Sequence, residues 1–340
     1  MRIRYACLGD PDGAAAVTLV AQAEYHLLEL ERVAAALAAK DVPVRIVVPI
    51  IPWKPLYRFR PTVRRIRRTT ESTSHRVGEP LHPNDLIEQS RAIIVMNDWG
   101  VPRGLVEEAK RSGLQTFGLV EGVQDYSDDD TGRTRNAYRR VDHVFALGDA
   151  GAQELGPDRC TVVGSERLRQ LWHSEPGDVG ADVLINSNFS YGVLSEHRRA
   201  WVRSAATAAD AAQQPWQLSR HTAERGRSSQ PVASSPIGAL LPRCSWLVTR
   251  FSTVGLDALA LGVDVAYHNP HGETAPLFQT DGGNFSRTTS VDELTAVLAS
   301  SPRPRHAVKA ANRNFLHHHA GIELAQEPSD LIADEIVVRM

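Results

Sequence analysis

The chain has 340 residues, with 38 Lys and Arg against 40 Asp and Glu, a net charge of -2 and 42% hydrophobic residues. That length suffices for two domains, each able to bury a core of its own. The near-neutral balance excludes a partner held mainly by charge, so nucleic acid is not expected; Cys7, Cys160 and Cys244 are too few and too far apart for a disulfide framework or a zinc site.

Short apolar runs of the buried-strand kind alternate with segments of helical period, the pattern of a parallel sheet covered by helices on both faces. The fold class expected is α/β, with two Rossmann-like doubly wound domains facing a cleft. In the first half, strands are predicted at Ile3–Leu8, Val42–Val48, Ala92–Met96, Gln115–Val120, His143–Leu147 and Thr161–Val163. A helix is predicted from Ala14 to Ala39, with Leu19, Ala23, Leu27, Leu30, Ala34 and Leu37 forming one apolar stripe. Between Arg58 and Arg76 lie seven arginines and the single acidic Glu71. Such a segment is either a solvated loop or a surface that attracts anionic lipid or an acidic glycan.

Pro176, Gly177 and Gly180 interrupt both periodicities and set a domain boundary between 170 and 180. Beyond it, strands are predicted at Val183–Asn186, Gln217–Ser219, Trp246–Thr249 and Val263–His268. Helices are predicted at Glu196–Gln213, Thr253–Leu261, Val291–Ser300, Arg305–His319 and Ser329–Arg339. The domains are therefore 1–170 and 180–325, with a closing helix in 326–340 expected to pack back on the first. No run reaches the roughly 18 apolar residues of a membrane span, and Met1 is followed by the strand-like RIRYACLG rather than an export signal. A cytoplasmic protein is expected, attached at most peripherally to the inner face of a membrane.

In open parallel sheets ligands gather beyond the carboxyl ends of the strands, where helix N-termini present free N–H groups. Polar residues meet that condition at Asn97 and Asp98, at Glu121 and Asp125, at His221, and along Ser252, Thr253, Gly255 and Asp257. Ser252 and Thr253 open a helix, as a simple cap or as a phosphate site, with Gly255 allowing close approach. Asp257 either accepts from a sugar or ribose hydroxyl or merely complements the helix dipole. His221 is a phosphate donor, a proton donor or a solvated loop residue. Glu121 ends an apolar strand and is a candidate base or one half of an ion pair with an arginine. Asp128, Asp129 and Asp130 cannot all face one ion, so a solvated start to a helix near Thr131 is preferred and no metal is expected.

Taken in order, Val120-Glu121-Gly122, His221-Thr222 and Ser252-Thr253 resemble the motifs of GT-B glycosyltransferases of bacterial surface and capsule polysaccharides. That group includes sialyltransferases, Kdo transferases and CDP-glycerol glycerophosphotransferases. Its acidic-acidic-glycine motif has Val120 here at its first position, and its His-Pro motif has Thr222 at its second. The resemblance implies an N-terminal acceptor domain, with Asn97, Asp98 and Asp125 on the acceptor side, and a C-terminal nucleotide-donor domain. It implies that Glu121 deprotonates the acceptor, that His221 holds or releases the nucleotide phosphate, and that Ser252 and Thr253 bind phosphate. His271 and Glu273 would contact the donor sugar. The partners implied are a nucleotide sugar and a glycan or lipid-linked acceptor, with no cofactor. UDP-N-acetylglucosamine 2-epimerases share this architecture and a similar helix start, although CLGDPDGAAA lacks their Gly-Thr-Arg-Pro-Glu segment. A non-catalytic nucleotide-sugar binding protein is the third alternative.

Overall fold

The computed structural model describes residues 3–8, 16–22, 24–50, 81–98, 100–122, 137–175, 182–189, 194–221, 224, 228, 230–273 and 285–340. Asp125, Asp128 to Asp130, Thr222 and the arginine-rich stretch from Arg58 to Arg76 lie outside them. The chain forms two compact units: the first takes Met1–Gln124, Asn136–Glu166 and Leu324–Met340, and the second includes Arg167–Glu323.

Unit 1 holds strands β1 (Arg4–Leu8), β2 (Ala16–Val20), β3 (Val44–Ile50), β4 (Ser90–Val95), β5 (Gln115–Leu119), β6 (His143–Ala146) and β7 (Cys160–Val162). Its helices are α1 (Glu24–Ala38), α2 (Pro83–Glu88), α3 (Val101–Arg111) and α4 (Asp149–Leu155). The sheet order is β1-β3-β2-β4-β5-β6-β7, parallel except for β1, which runs antiparallel to β3.

Two sequence expectations change here. Ile3–Leu8 is an antiparallel edge strand and not the first strand of the Rossmann-like order. The helix expected from Ala14 to Ala39 is a strand and a shorter helix, because Ala-Val-Thr-Leu-Val is buried at every position in β2. That is the environment of a central parallel strand, and Val17, Thr18 and Val20 suit it better than a helix. The helical stripe survives in α1, where Leu27, Leu30, Val33 and Leu37 pack on the sheet.

Unit 2 begins with α5 (Glu166–His173), whose first residue belongs to unit 1, and continues with β8 (Asp182–Ser187), α6 (Arg198–Ala211), β9 (Trp216–Arg220), α7 (Ile237–Leu240) and β10 (Cys244–Thr249). It is completed by α8 (Val254–Leu261), β11 (Asp264–His268), β12 (Ser286–Thr288), α9 (Val291–Ala299) and α10 (Arg305–Ala320). Its sheet is parallel throughout, ordered β12-β11-β10-β8-β9. The short β12, absent from the sequence reading, extends one edge. Trp201 of α6 is fully buried against this sheet and donates from Nε1 to the His268 carbonyl at 2.7 Å. Gly262 ends α8 at φ 78°, and a Cβ there would lie 2.4 Å from the Arg305 carbonyl oxygen, so the turn into β11 requires glycine on both counts.

The closing helix α11 (Pro328–Arg339) belongs to unit 1. Ile332, Ala333 and Ile336 join the core made by α1 and the sheet, and Lys40 Nζ meets Asp334 Oδ1 at 2.7 Å beside them. Among the described residues no helix is long and apolar enough to cross a membrane.

Each sheet has a point where the chain reverses its direction of growth, and there two helices diverge to opposite faces. In unit 1 this lies between β2 and β4; in unit 2, between β8 and β10. Chemistry is expected just past the ends of these strands.

Candidate functional site

In unit 1 the reversal point is occupied by His26, from the first turn of α1, and Glu121, just past β5. His26 Nε2 lies 2.5 Å from Glu121 Oε2. Since β4 separates β2 from β5, this pair bridges the end of the intervening strand. The imidazole accepts the Gln22 backbone N–H at Nδ1, 3.1 Å away. Glu121 is also fixed through its own backbone: its N–H donates to Tyr138 Oη at 3.2 Å, and the Tyr138 hydroxyl donates to the Met96 carbonyl at the end of β4. The buried Tyr138 ring lies over Gly118, where a Cβ would be 2.7 Å from the ring. Glycine in β5 is what lets the tyrosine reach Glu121.

Asp98 supports the same arrangement. It is fully buried, and its two oxygens accept the backbone N–H groups of Tyr138 and Arg140, each at 2.6 Å. Tyr138 has φ 59°, an uncommon conformation for a residue with a side chain, and the Asp98 carboxylate holds it there. Asp98, expected on the acceptor side, thus has its carboxylate engaged by main-chain amides and enclosed by the fold. Asn97, its neighbour, is buried with Oδ1 unpartnered, and Gln22 Nε2 is likewise buried and unpartnered.

In unit 2, Arg250 past β10 and Asn188 past β8 lock the reversal point. Arg250 Nη1 donates to the Asn188 carbonyl at 2.6 Å, Asn188 Nδ2 donates to the Phe251 carbonyl at 2.7 Å, and the guanidinium lies 4.4 Å from the Phe189 ring centroid. Glu273 completes the lock. Its carboxylate takes Arg250 Nε at 2.6 Å, the Phe251 N–H at 2.9 Å, the Tyr267 hydroxyl at 3.0 Å and His271 Nε2 at 3.2 Å. Burial alone would raise its pKa, but the bonds from His271 and Arg250 overcome that and hold it at about 2. Glu273, expected to contact a donor sugar, is saturated by its own unit at 3% exposure.

His271 is different. With Nε2 toward Glu273, its Nδ1 is buried without a partner, and the ring stacks on His197 at 5.0 Å. Ser252, Thr253, Gly255 and Asp257 lie together at the start of α8, as the sequence predicts. Ser252 Oγ accepts the Val254 N–H at 3.4 Å, a weak local cap, while the Gly255 and Leu256 N–H groups bond the Ser252 and Thr253 carbonyls. Asp257 is paired through Oδ2 with Arg167 of α5 and keeps Oδ1 buried and unpartnered; burial pushes its pKa up, against the pull of Arg167.

His221 is half-buried at the end of β9, its N–H donating to the Ser187 carbonyl at 3.1 Å. Next to it is a carboxylate the sequence reading passed over: Glu224 accepts from Ser187 Oγ, the Phe189 N–H and Arg220 Nε, at 3.0, 2.9 and 2.6 Å. His26, Arg250 and Glu224 are the residues that sequence reasoning missed. For His26 a signal existed, since reading AVTLV as a strand would have set it on the first turn beyond that strand. Among the described residues, no group of three or more His, Cys, Asp and Glu could hold a metal ion.

No protein-family model and no curated protein matches the sequence. Solved structures do match in fold. The UDP-GlcNAc 2-epimerase of Methanocaldococcus jannaschii, in complex with UDP-GlcNAc and UDP, superposes with a TM-score of 0.59 at 8% identity, over 89% of this chain and 99% of that one. The Neisseria meningitidis UDP-GlcNAc 2-epimerase bound to UDP-GlcNAc gives 0.58 at 10% identity, over 95% and 99%. The S. aureus MnaA co-structure with UDP gives 0.56 at 12%, over 95% of each chain. At such identities the shared property is the fold, and the α/β class with two Rossmann-like units expected from sequence is borne out.

Proposed function

We propose that the chain binds a nucleotide sugar and transfers its sugar to a hydroxyl of a glycan or cell-envelope precursor, without a metal. The observation that carries this is Glu121, a partly exposed carboxylate at the reversal point of unit 1, oriented by His26. In the reaction Glu121 takes the proton of the attacking hydroxyl as the new glycosidic bond forms and the bond to the nucleotide breaks. The nucleotide leaves with the bonding electron pair. Ser252, Thr253 and the first turn of α8, with His221, are the proposed partners of its phosphate charge. Nucleotide sugars suit this reading because the structural neighbours were crystallised with UDP-GlcNAc or UDP.

A thermal-shift screen of CMP, CDP, UDP, GDP and UDP-sugars, followed by transfer assays with the donor that stabilises the protein, tests the proposal. Full transfer by Glu121→Gln would remove the base. Binding without turnover across a broad acceptor panel would leave a non-catalytic binding protein. The arginines between Arg58 and Arg76 are proposed to draw the protein to an anionic surface carrying the acceptor; equal flotation with anionic and neutral vesicles would dismiss that.

A second reading, epimerisation of the sugar at C2, draws its support from the shared fold, since two of the solved structures it matches are UDP-GlcNAc 2-epimerases crystallised with UDP-GlcNAc. Ala21 and Gln22, which directly follow the first parallel strand of unit 1, do not fit a Gly-Thr-Arg-Pro-Glu segment any better than CLGDPDGAAA does. Donor alone in D2O separates the two. Epimerisation breaks the C2–H bond and places deuterium in the product, whereas a transferase leaves that hydrogen in place.

A further inference from the structure

The pairing of His26 with Glu121 has a direction. Because the Gln22 N–H donates to Nδ1, that nitrogen presents its lone pair, and a neutral ring then carries its proton on Nε2. The Nε2–H donates to Glu121 Oε2 at 2.5 Å. The His26 side chain is 2% exposed, while the Glu121 side chain is 21% exposed, so the imidazole is the enclosed anchor and the carboxylate is the end a solute reaches. Asp98 and Glu273, by comparison, are at most 3% exposed. The Glu121 backbone is held by Tyr138 and its carboxylate by His26.

We propose that His26 is the positioning residue for Glu121, fixing the carboxylate for proton removal from the acceptor hydroxyl through the sequence Gln22 N–H to Nδ1 and Nε2–H to Oε2. This rests on the reading of Glu121 as the base. A free glutamate samples several rotamers, and a donor on one oxygen selects the rotamer in which the group waits for substrate. His26 itself touches no substrate and gives up no proton; the proton taken from the hydroxyl stays on Glu121 until solvent removes it.

The test has two arms. Nitrogen-15 NMR of the substrate-free protein should show His26 with Nε2 protonated and Nδ1 accepting, and Glu121→Gln should move the Nε2 signal. In transfer assays His26→Leu should lower kcat by about 10- to 100-fold, with the donor KM within about twofold, the loss appropriate to one hydrogen bond to a charged group. His26→Gln, whose amide can reach Oε2, should recover most of that loss, and both variants should melt within a few degrees of each other.

An Nδ1–H tautomer overturns the proposal. So does wild-type kcat in His26→Leu beside an inactive Glu121→Gln, in which case the base assignment stands alone. Losses equal in both variants and proportional to their melting temperatures would leave His26 a purely structural residue. Full activity in Glu121→Gln overturns the base assignment and this role while leaving transfer itself standing; no turnover of any donor overturns the function and this role together, and the NMR arm then shows whether the pairing itself was read correctly.

Discussion

Arg250 and Glu273 form an ion pair inside unit 2 in which Arg250 Nε donates to Glu273 Oε2 at 2.6 Å and the two side chains are 5% and 2% exposed. Removing one partner strands a buried charge, at a cost of about 3–5 kcal/mol. Glu273→Gln should therefore lower the urea midpoint of unit 2 sharply. Unchanged stability with weakened nucleotide binding would return Glu273 to the ligand.

Gly118 controls Glu121 from a distance. In Gly118→Ala the new methyl group would sit 2.7 Å from Tyr138 Cδ1 and 3.0 Å from Val141 Cγ2. Overpacking of this kind costs about 1–3 kcal/mol, and the relief available is displacement of the tyrosine ring. The expected result is a lower melting temperature together with a loss of turnover larger than that of an alanine replacement at Gly104, where no atom lies within 4 Å of the added group.

Acid should destabilise the chain in two stages. Burial is the main reason His143, His268 and His319 are held at about 4 against an ordinary 6.5. Between those values the unfolded chain binds more protons than the folded one, so stability falls as pH drops from about 6.5 to about 4. Glu273 acts lower down: its pKa of about 2 against 4.5 contributes stability that is complete above 4.5 and lost as pH falls toward 2. Chemical denaturation across pH should show both stages, and His268→Gln should reduce only the upper one, by the share of one of the three histidines.

Asn97 offers a test of ligand contact that needs no knowledge of the ligand. Its Oδ1 is buried without a partner, a penalty of about 1–3 kcal/mol for a polar group. Asn97→Leu should leave the melting temperature unchanged or raise it, while reducing nucleotide-sugar turnover by about tenfold. A destabilised variant with intact turnover would show that the amide serves the fold.

The sheets were largely legible because short runs such as Ala-Ile-Ile-Val and Trp-Leu-Val-Thr are too apolar and too short for anything but buried parallel strands. AVTLV was misread because Leu19 and Ala23 continue the spacing of the α1 stripe, and only tertiary burial decides between the two periods. That one error hid His26. The pairings that define the candidate sites were not legible at all. His26 meets Glu121 across 95 positions and Arg250 meets Glu273 across 23, and local sequence can place such residues at strand ends without saying which of them meet.

The return of α11 to unit 1 also orders events during synthesis. Ile332, Ala333 and Ile336 fill a core whose other walls, α1 and the strands around β2, are made some three hundred residues earlier. Until the whole of unit 2 has left the ribosome, that apolar face of unit 1 has no cover. The packing of unit 1 is therefore complete only once the segment that follows unit 2 has been added to it.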